Sequence, residues 1–100
     1  VAAAKREATD AMKGGVRLLA QGDLPGALAS LRGAKTSMPR NGRVLLNFAA
    51  VALTCMERQG RSAELEAEVR ASIATAQLLR PDDARADDLL KQLAKLTGGA

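Results

Sequence analysis

Four residues, Gly22, Pro39, Gly60 and Pro81, divide the chain into five stretches. Each repeats its apolar side chains with a helical period, and none alternates as a half-buried strand does. This punctuation constrains the fold most strongly, because the connections are short and successive helices must therefore turn back antiparallel. The composition agrees: hydrophobic residues make up 47% of the chain, drawn from Ala, Leu, Val and a few Met, with one Phe and no Trp or Tyr. Apart from Val, the abundant members of that set are good helix formers. A chain of 100 residues has material for one core. The expected fold is all-α, a single domain of five helices over residues 1–100.

The first stretch, about 2–21, places Ala8, Ala11, Met12, Gly15, Val16, Leu18 and Leu19 on one stripe. Gly14 and Gly15 each weaken a helix by about 1 kcal/mol relative to Ala, which implies a partner helix pressed against them. Gly22 stops this helix, Asp23 caps the second, and Pro25 fits its first turn, where the N–H has no intrahelical partner. The second helix turns Leu24, Ala27, Leu28, Leu31 and Ala34 to one side and ends at Pro39. Asn41 caps the third, where Val44, Leu45, Phe48, Ala49, Val51, Ala52, Leu53 and Met56 leave hardly any polar face. Such a helix is expected at the centre, covered on both flanks.

Ser62 caps the fourth helix, whose stripe is Leu65, Val69, Ile73, Ala76 and Leu79. Glu64, Glu66 and Glu68 fall in its early turns, where the helix dipole favours anions. Alternate acids point to different sides of a helix, so they read as a solvated face rather than a metal site. Pro81 stops this helix, Asp82 or Asp83 caps the fifth, and Ala86, Leu89, Leu90, Leu93, Ala94 and Leu96 form the last amphipathic face.

The chain has no His and one Cys, which excludes His-based catalytic triads, His/Cys zinc sites and an internal disulfide. No enzyme chemistry and no cofactor site is expected. Cys55, in an apolar helix without a neighbouring base, reads as a small buried hydrophobe. No stretch has the roughly 18 uncharged apolar residues of a membrane span, and the N-terminus lacks an apolar signal core, so the expected location is the cytoplasm. Val1 followed by three alanines reads as the start of a piece cut from a longer chain, with a processed start as the alternative.

The chain also repeats itself. Ala27, Leu31, Ala34 and Pro39 have the same spacing as Val69, Ile73, Ala76 and Pro81, and upstream Gly15 with Leu18 correspond to Ala49 with Ala52. On these residues the chain resembles the tetratricopeptide repeat family, built from helix hairpins of about 34 residues. Gly15 matches the small residue of the family's first helix, Leu18 the following aromatic, Ala27 and Leu31 the second-helix pair and Pro39 the terminal proline; Ala11 stands at the Trp position and Gly14 at the Leu position. The resemblance implies a first repeat over about 9–41, a second over about 42–81 and a capping helix over about 83–97. From Pro39 to Pro81 is 42 residues, so an insertion of about two helical turns is expected around Met56 to Glu66, lengthening both helices and their turn. Long-armed two-repeat modules of this kind are similar to the helical domain that follows the receiver domain in some bacterial response regulators.

In that family the first helices line a groove that holds a peptide or helix of a partner protein. The resemblance therefore implies a non-catalytic protein-interaction module, or a regulatory or scaffolding domain of a larger signalling protein. Its groove would be lined by Met12, Lys13, Val16, Arg43, Leu46, Asn47, Ala50 and Leu53, with Thr9, Ala20 and Thr54 beside them. The Asn47 amide is suited to pair with an extended backbone, and Lys13, Arg43 and Arg85 are suited to ring a carboxylate. Residues 1–43 hold eight Lys and Arg against three Asp and Glu, while the remainder is near neutral. A basic half points to an acidic partner; nucleic acid is the weaker alternative, because no aromatic platform is available to stack bases. Leu89, Leu93 and Leu96 are expected either to seal an apolar end face or to form the seam of a homodimer.

Overall fold

The computed structural model describes residues 13–98, which are helical apart from short connections and contain no strand. Helix α1 runs over residues 13–20, α2 over Leu24–Ser37, α3 over Gly42–Gln59, α4 over Ala63–Leu79 and α5 over Ala84–Leu96. The stripe positions Ala8, Ala11 and Met12, and with them Thr9, lie outside the described residues. All five expected stretches are thus helical where they are described.

The caps follow the local chemistry of the sequence. The Asp23 carboxylate accepts the Gly26 N–H at 3.0 Å, the Asn41 side chain the Val44 N–H at 3.1 Å and the Ser62 hydroxyl the Leu65 N–H at 3.3 Å. Of the two candidates at the fifth helix, Asp83 is the cap, accepting the Arg85 N–H at 2.9 Å. Gly22 and Gly60 close α1 and α3 at φ of +84° and +104°, a conformation that side chains rarely adopt.

The internal repeat extends to the backbone. Met38 and Arg80, each preceding a proline, hold similar non-helical conformations (φ −128°, ψ 70° and φ −142°, ψ 88°), since a following proline disfavours the helical region. Asn41 and Asp83 then donate their N–H groups to Met38 and Arg80, both at 3.2 Å. Ala27, Leu31 and Ala34 in α2 and Val69, Ile73 and Ala76 in α4 are all buried, as matched positions should be.

The insertion resolves into helix alone. Pro39 stands 17 positions after Gly22 and Pro81 stands 21 after Gly60, which adds about one turn to α4. Gly60 likewise stands 21 positions after Pro39, giving α3 its 18 residues. The turn was expected to lengthen as well, but residues 60–62 form a connection no longer than residues 21–23. Extra residues with helical propensity extend the hydrogen-bond ladder at little entropic cost, whereas a longer loop would leave backbone groups unpaired.

Helix α3 is central: α2, α4 and α5 all pack on it, and α5 also rests on α4. Its buried set includes Cys55, as expected, and adds Leu46 to the expected stripe. Leu89 and Leu93 are buried, so α5 seals the open side of the α3–α4 pair. Phe48, the single aromatic, is fully buried, with the Lys35 ammonium 4.0 Å and the Arg32 guanidinium 5.9 Å from its ring centre. Both cations reach on to Glu68, at 2.7 Å for Arg32 and 3.4 Å for Lys35, which ties α2 to α4 across α3. Ser72, the one buried polar residue of the described set, is a small side chain where α4 meets the core.

Candidate functional site

The feature that stands apart from the core is a cleft of about 610 Å³ at the end of the molecule where the α2–α3 and α4–α5 connections lie side by side. Four arginines line it. Arg40 comes from the first connection, Arg43 from the first turn of α3, Arg80 from the end of α4 and Arg85 from the first turn of α5. The floor is apolar, formed by Leu46, Ala76 and Leu79. Each arginine is exposed, and no ion pair joins any of the four to a described carboxylate.

The repeat explains how the charges converge. Arg43 and Arg85 stand two residues after the caps Asn41 and Asp83, so equivalent connections deliver them to equivalent places. Arg80 is the C-cap of α4, where the helix dipole favours a cation and offsets part of the mutual repulsion. One carboxylate, Asp83, lines the same cleft, and it is engaged in capping α5. Four guanidiniums against one carboxylate leave a surplus of three positive charges. The N-terminus of α3, with no acidic residue in its first turn, opens onto the same space through Gly42.

Asn47 holds the arrangement from behind. Its side-chain oxygen accepts a hydrogen bond from the Arg85 guanidinium at 2.5 Å, joining α3 to α5. The amide expected to read a partner's backbone therefore has its oxygen committed to positioning an arginine.

The other sequence-derived candidates divide into three groups. Arg43, Asn47, Ala50 and Thr54 form a partly exposed strip along α3, the one face left by its neighbours, and the Thr54 hydroxyl donates to the Ala50 carbonyl at 3.0 Å. Lys13 and Val16 are exposed on α1, Val16 to 47%, and neither lines the cleft; Ala20 is exposed near them. Met12 lies outside the described residues. Leu46 and Leu53, expected to face a groove, are only 2% and 1% exposed and belong to the core instead. The reason is that α3 is packed against three helices, which leaves its leucines no open side.

Arg40 and Arg80 were not among the expected site residues. Their signal in the sequence is the arginine beside each terminal proline, Pro39-Arg40 and Arg80-Pro81. Of the three residues expected to ring a carboxylate, Arg43 and Arg85 line the cleft beside Arg40 and Arg80, and Lys13 does not.

A second, smaller cleft of about 360 Å³ lies at the far end of α3, beside Pro25, Cys55 and Gly60. The Cys55 thiol there donates to the Leu24 carbonyl at 3.9 Å, and burial pushes its pKa above the ordinary thiol value. Burial thus disfavours the thiolate, which is the reactive form. Of the acidic run, Glu66 pairs with Arg61 at 3.0 Å and Glu68 with Arg32 and Lys35, while Glu64 is exposed. Among the described residues no cluster of three metal-ligating side chains forms, and no helix is long and apolar enough to cross a membrane. The chain matches no family model, and no curated protein or solved structure shows significant similarity to it.

Proposed function

We propose that this chain is a non-catalytic protein-interaction module that receives an acidic segment of a partner protein, anchored in the arginine cleft and continuing along the α3 strip of Asn47, Ala50 and Thr54. The observation that carries this reading is the convergence of Arg40, Arg43, Arg80 and Arg85 on one cleft with a single opposing carboxylate. Guanidinium groups present paired donors that match carboxylate geometry and stay charged at every physiological pH. The lining contains no nucleophile and no group suited to general base work beyond the capping Asp83, which favours binding over chemistry.

The resemblance to tetratricopeptide repeats supports the same reading. Matched burial at Ala27 and Val69, Leu31 and Ile73, and Ala34 and Ala76, together with the duplicated proline connections, is what stacked hairpins require. Within a larger signalling protein, such a module would serve as a docking or regulatory domain.

The test is fluorescence anisotropy with a labelled oligoglutamate peptide and an oligolysine control. The parent should bind the acidic peptide alone, more weakly as salt rises. An Arg43→Ala/Arg80→Ala double variant should lose about tenfold or more in affinity while keeping its helical circular dichroism, because both side chains are exposed. Equal binding by parent and double variant would sink the reading.

A further inference from the structure

We infer that the arginine cleft takes a phosphoryl dianion, carried as a phosphomonoester on a side chain of the partner segment. This rests on the reading above and names the chemistry of its anchor. Three surplus positive charges are concentrated in one space. Each aspartate or glutamate brings a single negative charge, so matching three charges with carboxylates would take three side chains of the segment. One phosphomonoester instead delivers close to two negative charges and three acceptor oxygens at a single point, and a flanking acidic residue supplies the third charge.

Guanidinium forks pair with phosphoryl oxygens two at a time, so converging arginines can share one phosphoryl group in a way that separate carboxylates cannot. The hydrogen bond from Arg85 to Asn47 fixes one fork in advance, which lowers the ordering cost of binding. Nucleotides and nucleic acids fit less well. The bases of nucleotides and single strands stack on aromatic rings, and the single aromatic residue, Phe48, is fully buried in the core.

The experiment compares three labelled peptides that differ at one position, phosphoserine, glutamate or serine, each flanked by aspartates, with free phosphoserine as competitor. The phosphoserine peptide should bind at least about tenfold tighter than the glutamate peptide. That advantage should shrink between about pH 7.5 and about pH 5.5, as the phosphoryl group takes up its second proton near pH 6. The groups facing the ligand are the four arginines, which stay charged, and Asp83. Asp83→Asn preserves the cap, since Asn and Asp serve equally there. The variant should keep the pH response and bind the phosphopeptide about two- to fivefold tighter, a gain that misfolding cannot produce.

Equal affinity for the glutamate and phosphoserine peptides would overturn the phosphoryl inference and leave the acidic-segment reading standing. Failure of all three peptides to bind would remove that reading as well. Free phosphoserine that competes as strongly as the phosphopeptide would confirm the phosphoryl chemistry and overturn its assignment to a protein segment.

Discussion

Gly14→Ala and Gly15→Ala, at adjacent positions of α1, should change stability in opposite directions. A Cβ built on Gly14 meets nothing within 4 Å, so alanine there adds only helix propensity, about 0.5–1 kcal/mol. A Cβ on Gly15 would lie 2.8 Å from Leu31 Cγ and 3.2 Å from the Ala27 carbonyl oxygen. Carbon pairs settle at about 3.5–4.0 Å, so one partner must move by about 0.7 Å. Leu31 is fully buried, and Ala27 O belongs to the backbone of α2, so neither moves freely. Overpacking of this kind costs about 1–3 kcal/mol, and after the propensity gain a net loss of about 1 kcal/mol remains. In a domain of this size 1 kcal/mol shifts Tm by about 4–8 °C, so melts followed by far-UV circular dichroism should place the two variants on opposite sides of the parent. Were Gly15→Ala to raise Tm as Gly14→Ala does, the close approach of α1 to α2 would be wrong.

Two further measurements address the core and its polar tie. Burial alone would raise the Glu68 pKa, but hydrogen bonds and charge from Arg32 and then Lys35 outweigh it and hold the carboxyl below its ordinary value. A folded-state pKa below the unfolded one contributes stability that is present above the ordinary carboxylate range and is lost as pH falls through the folded value. Glu68→Gln should therefore cost up to about 1 kcal/mol near neutral pH, given its partial exposure. The gap from the parent should close on acidification, and urea melts at several pH values that showed a constant gap would contradict the ion pair. Cys55 should react with iodoacetamide only when the chain opens, so its labelling rate should rise in Gly15→Ala and fall in Gly14→Ala. Labelling of the folded protein at the speed of a free thiol would show that Cys55 is not buried.

Much of the fold is legible in the sequence because it is set by contacts a few residues apart. Asp23, Asn41, Ser62 and Asp83 cap helices through bonds that span two or three residues, and prolines and positive-φ glycines end them through their own backbone restrictions. Apolar spacing marks Ala27, Leu31 and Ala34 as a buried face before any neighbour is known. The same spacing could not assign Leu46 and Leu53, because a helix apolar on most sides does not reveal which sides have partners. Nor did it separate Gly14 from Gly15, whose roles depend on where Leu31 of another helix lies.

The candidate site was only half legible. Arg43 and Arg85 could be named as partners, but Arg40 and Arg80 were not, and charge counted along the chain placed the basic excess in residues 1–43. The cleft takes two of its arginines from that half and two from the near-neutral remainder. Sequence by itself determined the helices, their ends and the internal repeat, since hydrogen bonding and steric restriction act locally. Only the tertiary structure decided where charges some forty residues apart converge, because that depends on how α2, α3, α4 and α5 pack and bring their two connections side by side.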